Sequence, residues 1–211
     1  MPSFTDLLRP RQLLASIGLI PMSVQAAPGE FQLVRTTEDC RTYMGPQDAD
    51  GVTPVRIECR WDGVDKTAIE AMFDQLGQYH VFVWALGDSR IERVDPERTL
   101  VWQRHEVPGT APRETLVWLT AADNGVGSRS YTWTTATEEH FTLSSAYAVR
   151  APRNDGMWNI IPDEAGVDVV LELSYDPGGM VPDWLVKWCQ TLGADRMMAE
   201  IRAIAAAGGE L

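Results

Sequence analysis

Tyr175-Asp176-Pro177-Gly178-Gly179-Met180-Val181-Pro182-Asp183-Trp184-Leu185-Val186 turns a strand into a helix. Residues 167–175, VDVVLELSY, are rich in β-branched and aromatic side chains and predict a strand. Pro177 and the two glycines stop that strand and allow a sharp turn. Pro182 suits the first turn of a helix, where its missing N–H costs nothing. From there to about Ala207 the only glycine is Gly193, so a long C-terminal helix is expected. Leu185, Trp188, Cys189, Leu192, Ala199, Ile201 and Ile204 supply its apolar residues, with Met197 and Met198 as flexible bulk. Gly193 costs about 1 kcal/mol against alanine and marks close packing or a bend.

Upstream, residues 54–61 alternate cleanly. Val55, Ile57, Cys59 and Trp61 share one face, Arg56, Glu58 and Arg60 the other, as in a half-buried antiparallel strand. Short strands are expected at 31–36 and 40–45. Asp65 offers an N-cap for a helix over 66–76, where Ile69, Met72, Phe73 and Leu76 recur at helical spacing, and Gly77 ends it. The run 79–86 fits a strand or further helical turns equally. Strands are then predicted at 89–94, 100–107, 114–120, 128–135, 143–150 and 157–161, with turns at Asp95-Pro96, Pro108-Gly109 and Asn124-Gly125. Many sequential strands with helices at the ends indicate an α+β fold with a largely antiparallel sheet.

The chain of 211 residues suits one domain. Its start has the order of an export signal: Arg9 and Arg11, then the apolar run Leu13 to Ile20, then Val24-Gln25-Ala26. Residues 1–26 are expected to be the signal and 27–211 the mature domain, exported, in the periplasm of a Gram-negative bacterium. No stretch reaches the ~20 apolar residues of a membrane helix, so stable membrane insertion is not expected. The net charge of −12 repels phosphate backbones and disfavours nucleic acid as a partner. It equally disfavours docking through a basic membrane-binding face. If Gly45 pairs with Pro54, antiparallel register sets Cys40 opposite Cys59, and a cross-strand disulfide between them is expected. Cys189 is left over as a buried apolar residue.

This order of strands, helix, many strands and long C-terminal helix resembles the START domain family of the helix-grip superfamily. The resemblance covers most of the chain from about residue 32 to 207. It rests on the Asp-Pro-Gly-Gly turn with Val181-Pro182-Asp183-Trp184-Leu185-Val186, on Val149-Arg150-Ala151-Pro152 followed by Gly156-Met157-Trp158-Asn159-Ile160-Ile161-Pro162, and on Pro112-Arg113-Glu114, similar to the family's Arg-Asp at a strand start. It implies a START-like, curved antiparallel sheet wrapped around a long C-terminal helix, with an apolar cavity between them. It also implies binding, and transport, of a lipid or other apolar small molecule. Some sterol-binding members bury an acid paired with an arginine in the cavity. The corresponding neighbourhood here, Leu116-Val117-Trp118-Leu119-Thr120, has no arginine, so a sterol anchored in that way is not implied.

The candidate cavity residues are Trp102, Arg104, Trp118, Trp133 and Trp158 on strands, and Trp184, Leu185, Trp188 and Leu192 on the last helix. Aromatics around an apolar pocket supply area, and indole N–H groups orient a ligand. Arg104 is a candidate for a head group, although a surface ion pair accounts for it more simply. The two faces of residues 100–107 are alike in polarity, so periodicity leaves the inward face open. The segment 151–156 reads as an exposed loop and a candidate gate.

Catalytic signals are poor. Gly87-Asp88-Ser89-Arg90 is similar to a lipase nucleophile block, but no histidine follows His140. His80, His105 and His140 lack metal-ligand spacing, and neither a metal nor a cofactor is expected. The alternative function is a cyclase- or hydrolase-type enzyme on the same scaffold, acting on an aromatic or polyketide-like substrate with His105 or Glu106 as acid or base. A third is an interaction module whose cavity is filled by its own side chains.

Overall fold

The alternation at 54–61 is realised as strand β3 (Val55–Asp62), with Val55, Ile57, Cys59 and Trp61 buried and the residues between them half-exposed. The computed structural model describes residues 30–125 and 127–211. The expected leader at 1–26 lies outside them. β2 (Cys40–Met44) pairs antiparallel with β3, and β1 (Gln32–Thr36) lies beyond β2. The Gly45 N–H donates to the Pro54 carbonyl at 2.8 Å. That register sets Cys40 opposite Cys59, and the two are joined in a disulfide.

The remaining strands are β4 (Leu86–Val94), β5 (Thr99–His105), β6 (Arg113–Asn124), β7 (Ser128–Thr135), β8 (Val149–Arg150), β9 (Arg153–Pro162) and β10 (Gly166–Asp176). Their order is β1-β2-β3-β10-β9-β7-β6-β5-β4, every neighbour antiparallel, with β8 alone lying parallel to β6. The chain thus builds a curved antiparallel sheet in which the N-terminal strands β1–β3 join the rest through the β3–β10 pair. Helix α1 (Lys66–Phe73) is capped by Asp65, whose carboxylate accepts the Thr67 N–H at 2.9 Å. The ambiguous run after it opens as a 3₁₀ helix, Leu76–Val81, ahead of β4.

At the C-terminus, Gly178 and Gly179 both adopt φ of +64°, and Asp176 accepts the Gly178 N–H, which closes the turn. Pro182 caps α2 (Asp183–Trp188). A π-helical turn, Cys189–Gly193, joins α2 to α3 (Ala194–Ala206). The long helix expected from the sequence is therefore present but wound unevenly at its middle. A Cβ on Gly193 would lie 2.5 Å from the Trp84 ring, so this glycine serves close packing as well as the irregular turn. α3 packs on α1, with Met198 and Ile201 in the same core as Ile69 and Met72. Phe73, Tyr79, Phe82, Tyr131 and Trp158 fill that end with aromatic contacts whose centroids are 5.1–5.8 Å apart.

Two expectations fail. The strand at 143–150 shrinks to Val149–Arg150, and the preceding residues cross the outer face of the sheet irregularly. The Ser144 N–H donates to the Glu114 carboxylate at 2.9 Å instead of to a strand partner. The candidate gate at 151–156 is not a loop over an opening. Arg153–Asp155 begin β9, and Ala151 and Asn154 are 2% and 3% exposed. Its polar residues are held by side-chain bonds: Asp155 accepts from the N–H and Oγ1 of Thr135, and Arg153 pairs with Asp48 and Asp155.

Candidate ligand cavity

The concave face of the sheet meets α3 closely but leaves a hollow of about 200 Å³ beneath α2. Val55, Ile57, Leu171 and Leu173 line it from β3 and β10; Leu119, Trp133 and Trp158 line it from the middle strands. The helical side contributes Leu185, Val186, Cys189, Gly193 and Met197. Trp84 closes one margin, with its ring edge-on to Trp188 at 5.2 Å. Trp133 fits because Gly156 stands opposite it on β9; a Cβ there would come within 2.3 Å of the indole.

Two sets of polar groups stand out in the wall. The first is linked by hydrogen bonds. Trp133 Nε1 donates to Asn154 Oδ1 at 3.0 Å, and Asn154 Nδ2 donates to Gln103 Oε1 at 2.8 Å. The second is His105, Arg113 and Tyr175. His105 and Arg113 face each other across β5 and β6, and the His105 ring lies 5.1 Å from that of Tyr175. Burial pushes the His105 imidazole down to about 4, which the Arg113 backbone carbonyl offsets only in part. The ring is therefore neutral near pH 7. Burial pushes the Tyr175 phenol well above its usual value, against the pull of the Arg113 charge. Arg113 is 7% exposed and donates to the carbonyls of Pro177 and Ala111.

Of the expected cavity residues, Trp133, Trp158 and Leu185 line the hollow. Trp102, Arg104 and Trp118 do not. They sit on the convex face, because β5 presents Gln103 and His105 inward and β6 presents Arg113 and Leu119 inward. Arg104 pairs with Glu106 at 2.7 Å and donates to Ser144 Oγ. Trp184, Trp188 and Leu192 lie on the outer side of the C-terminal helices, 69%, 39% and 46% exposed. Of the two acid–base candidates of the enzyme alternative, His105 lines the hollow, while Glu106 is outside with Arg104.

Sequence reasoning missed Trp84, Arg113 and Tyr175 as wall residues. Arg113 stood within a motif already singled out, yet Leu116 to Leu119 beyond it are apolar on both faces and gave no parity. Trp84 lies in the run that fitted either a strand or a helix. Strand register sets Arg113 opposite His105, and tertiary packing brings Tyr175 against its ring and Trp84 into the wall.

No known family profile matches the sequence, and no curated protein matches it. Solved structures do. A STAR-related lipid transfer protein fragment from Xanthomonas axonopodis is 18% identical with a TM-score of 0.72, over 83% of this chain and 98% of that one. Human STARD10 is 12% identical with a TM-score of 0.71, over 86% and 74% of the two chains. Human StAR-related lipid transfer protein 5 is 14% identical with a TM-score of 0.71, over 85% and 88%. At such identities the likeness speaks for the backbone: the curved sheet closed by a C-terminal helix is the helix-grip fold of START domains.

Proposed function

We propose that this protein binds a lipid or other hydrophobic small molecule in the hollow under α2 and carries it. The observation that supports this most is a nearly apolar hollow between sheet and helix, walled on one side by α2 and the turn after it. Enclosing apolar surface there stabilises a complex by roughly 25 cal/mol per Å². Entry and release require α2 to lift away, hinging at the π-helical turn, with the Trp84–Trp188 contact as the latch. The likeness to lipid transfer proteins agrees with this reading. An acid–base enzyme has less support, because no carboxylate lines the hollow among the described residues. The disulfide favours an oxidising compartment and with it the proposed export.

The test is to purify the protein, extract it with organic solvent and identify the extract by mass spectrometry. A bound apolar compound near one per chain is expected. Leu185→Trp, which fills the hollow from the helix side, is expected to lower that yield by about tenfold while the fold persists. An empty extract, together with no binding of added apolar probes, overturns the reading.

A further inference from the structure

Arg113 is a buried cation without a counter-charge. It makes no ion pair among the described residues, whereas Arg56, Arg60, Arg93 and Arg153 each sit beside a carboxylate. An unpaired buried charge is strongly unfavourable and needs hydrogen bonds or a partner. Two of its nitrogens are occupied: Nε donates to the Pro177 carbonyl at 3.3 Å, and Nη1 donates to that of Ala111. Nη2 has no partner among the described residues.

The groups around it share this bias. The Tyr175 hydroxyl, at the other side of His105, makes no hydrogen bond among the described residues. Gln103 spends its carbonyl on Asn154, and its amide N–H groups have no partner among the described residues. All three side chains line the same hollow, and among the described residues no Asp or Glu does. The site thus offers donors and one positive charge, with no carboxylate among the described lining residues to answer them. What answers such a set is an oxyanion, which also matches the guanidinium fork. The rest of the wall is aliphatic or aromatic, and about 200 Å³ is below the roughly 300–1,000 Å³ of pockets for drug-sized ligands. That space suits one short chain better than a lipid with two.

We propose that the hollow takes a single-chain amphiphile with an oxyanion head, carboxylate or phosphate, and that Arg113 binds the head while the chain runs toward Trp158. Tyr175 and Gln103 complete the donor set. This deepens the carrier reading above and rests on it.

The experiment uses delipidated full-length protein and displacement of Nile red, a neutral fluorescent probe. The competitors share a chain: dodecanoate, dodecyl phosphate, dodecanol and dodecyltrimethylammonium. One of the two anions is expected to bind at least about tenfold more tightly than the alcohol, with the cation weakest. Which anion wins distinguishes a fatty acid from a phosphate-headed lipid. Arg113→Gln is expected to erase the preference for the anion over dodecanol. Tyr175→Phe removes a hydroxyl that has no partner in the free protein, so it tests the same donor set if Arg113→Gln fails to fold. It is expected to reduce the preference severalfold. Equal binding of alcohol and anions by the wild type overturns the head-group assignment and leaves the carrier reading standing. Failure of every competitor and of Nile red to bind overturns both.

Discussion

The two faces of the sheet use alternate residues of the same strands, yet one encloses a hollow and the other is solid. On the convex face, Leu100, Trp102, Leu116, Trp118 and Ala136 are buried together under Phe141. Cations seal them: Arg90 lies 4.0 Å over Trp102, Arg98 lies 3.7 Å over Trp118, and Arg150 lies 4.0 Å over Phe141. Glu114, fully buried there, accepts from the N–H and Oγ of Ser144. On the concave face the helix cannot follow the curve of the sheet. It touches at α3 and stands off at α2, and the gap is the cavity. The comparison teaches that an apolar residue on a strand does not define a pocket. What covers it does: an irregular segment moulds itself to a surface, while a helix spans it.

The largest expected effect tests whether the faces are independent. Trp102→Ala removes one of the two tryptophans of the convex cluster and should destabilise the fold by about 3–5 kcal/mol. Nile red affinity of the folded fraction should stay within about twofold. Loss of affinity in step with stability, followed by urea titration and probe binding together, breaks the distinction between solid and hollow faces.

A second prediction belongs to the concave face. The His105 imidazole sits at about 4 in the folded protein against an ordinary 6.5, so between those values the unfolded chain holds the additional proton. Stability is complete above pH 6.5 and declines as pH falls toward 4, by up to about 3 kcal/mol. Urea unfolding at pH 7 and at pH 4.5 measures it. His105→Gln should shrink the difference between the two pH values. An unchanged difference sinks the buried, neutral histidine.

The smallest effect sharpens the convex side. Arg98→Met keeps the apolar stem and removes the charge above Trp118. A loss of about 0.5–1 kcal/mol in thermal or urea unfolding is expected, shrinking toward zero if the ring is held by packing alone.

Local signals carried much of the fold. The alternation of Val55, Ile57, Cys59 and Trp61 gave β3 and its buried face, and the hairpin register gave the Cys40–Cys59 pair. Asp65 marked a helix start because its short carboxylate can reach the next turn's N–H groups. Residues 143–150 misled because β propensity measures fitness for a pleated surface, whereas this segment is held from outside by the Glu114 carboxylate. The polar run at 151–156 looked exposed because its bonding partners, Thr135, Gln103 and Asp48, are distant in sequence.

The cavity was less legible than the fold. Trp102 and Trp133 look alike in sequence, and a strand covered on both sides loses the polar alternation that would tell inside from outside. Residue order alone fixed the class of the molecule, its acidic surface, the closing turn at Asp176 to Gly179 and the span of the last helix, since each depends on neighbours within a few positions. The inward parity of β5 and β6, the seating of Gly193 against Trp84 and the isolation of Arg113 were decided by strand pairing and by how far α2 stands from the sheet. These are distances between segments far apart in the chain, and no local pattern encodes them.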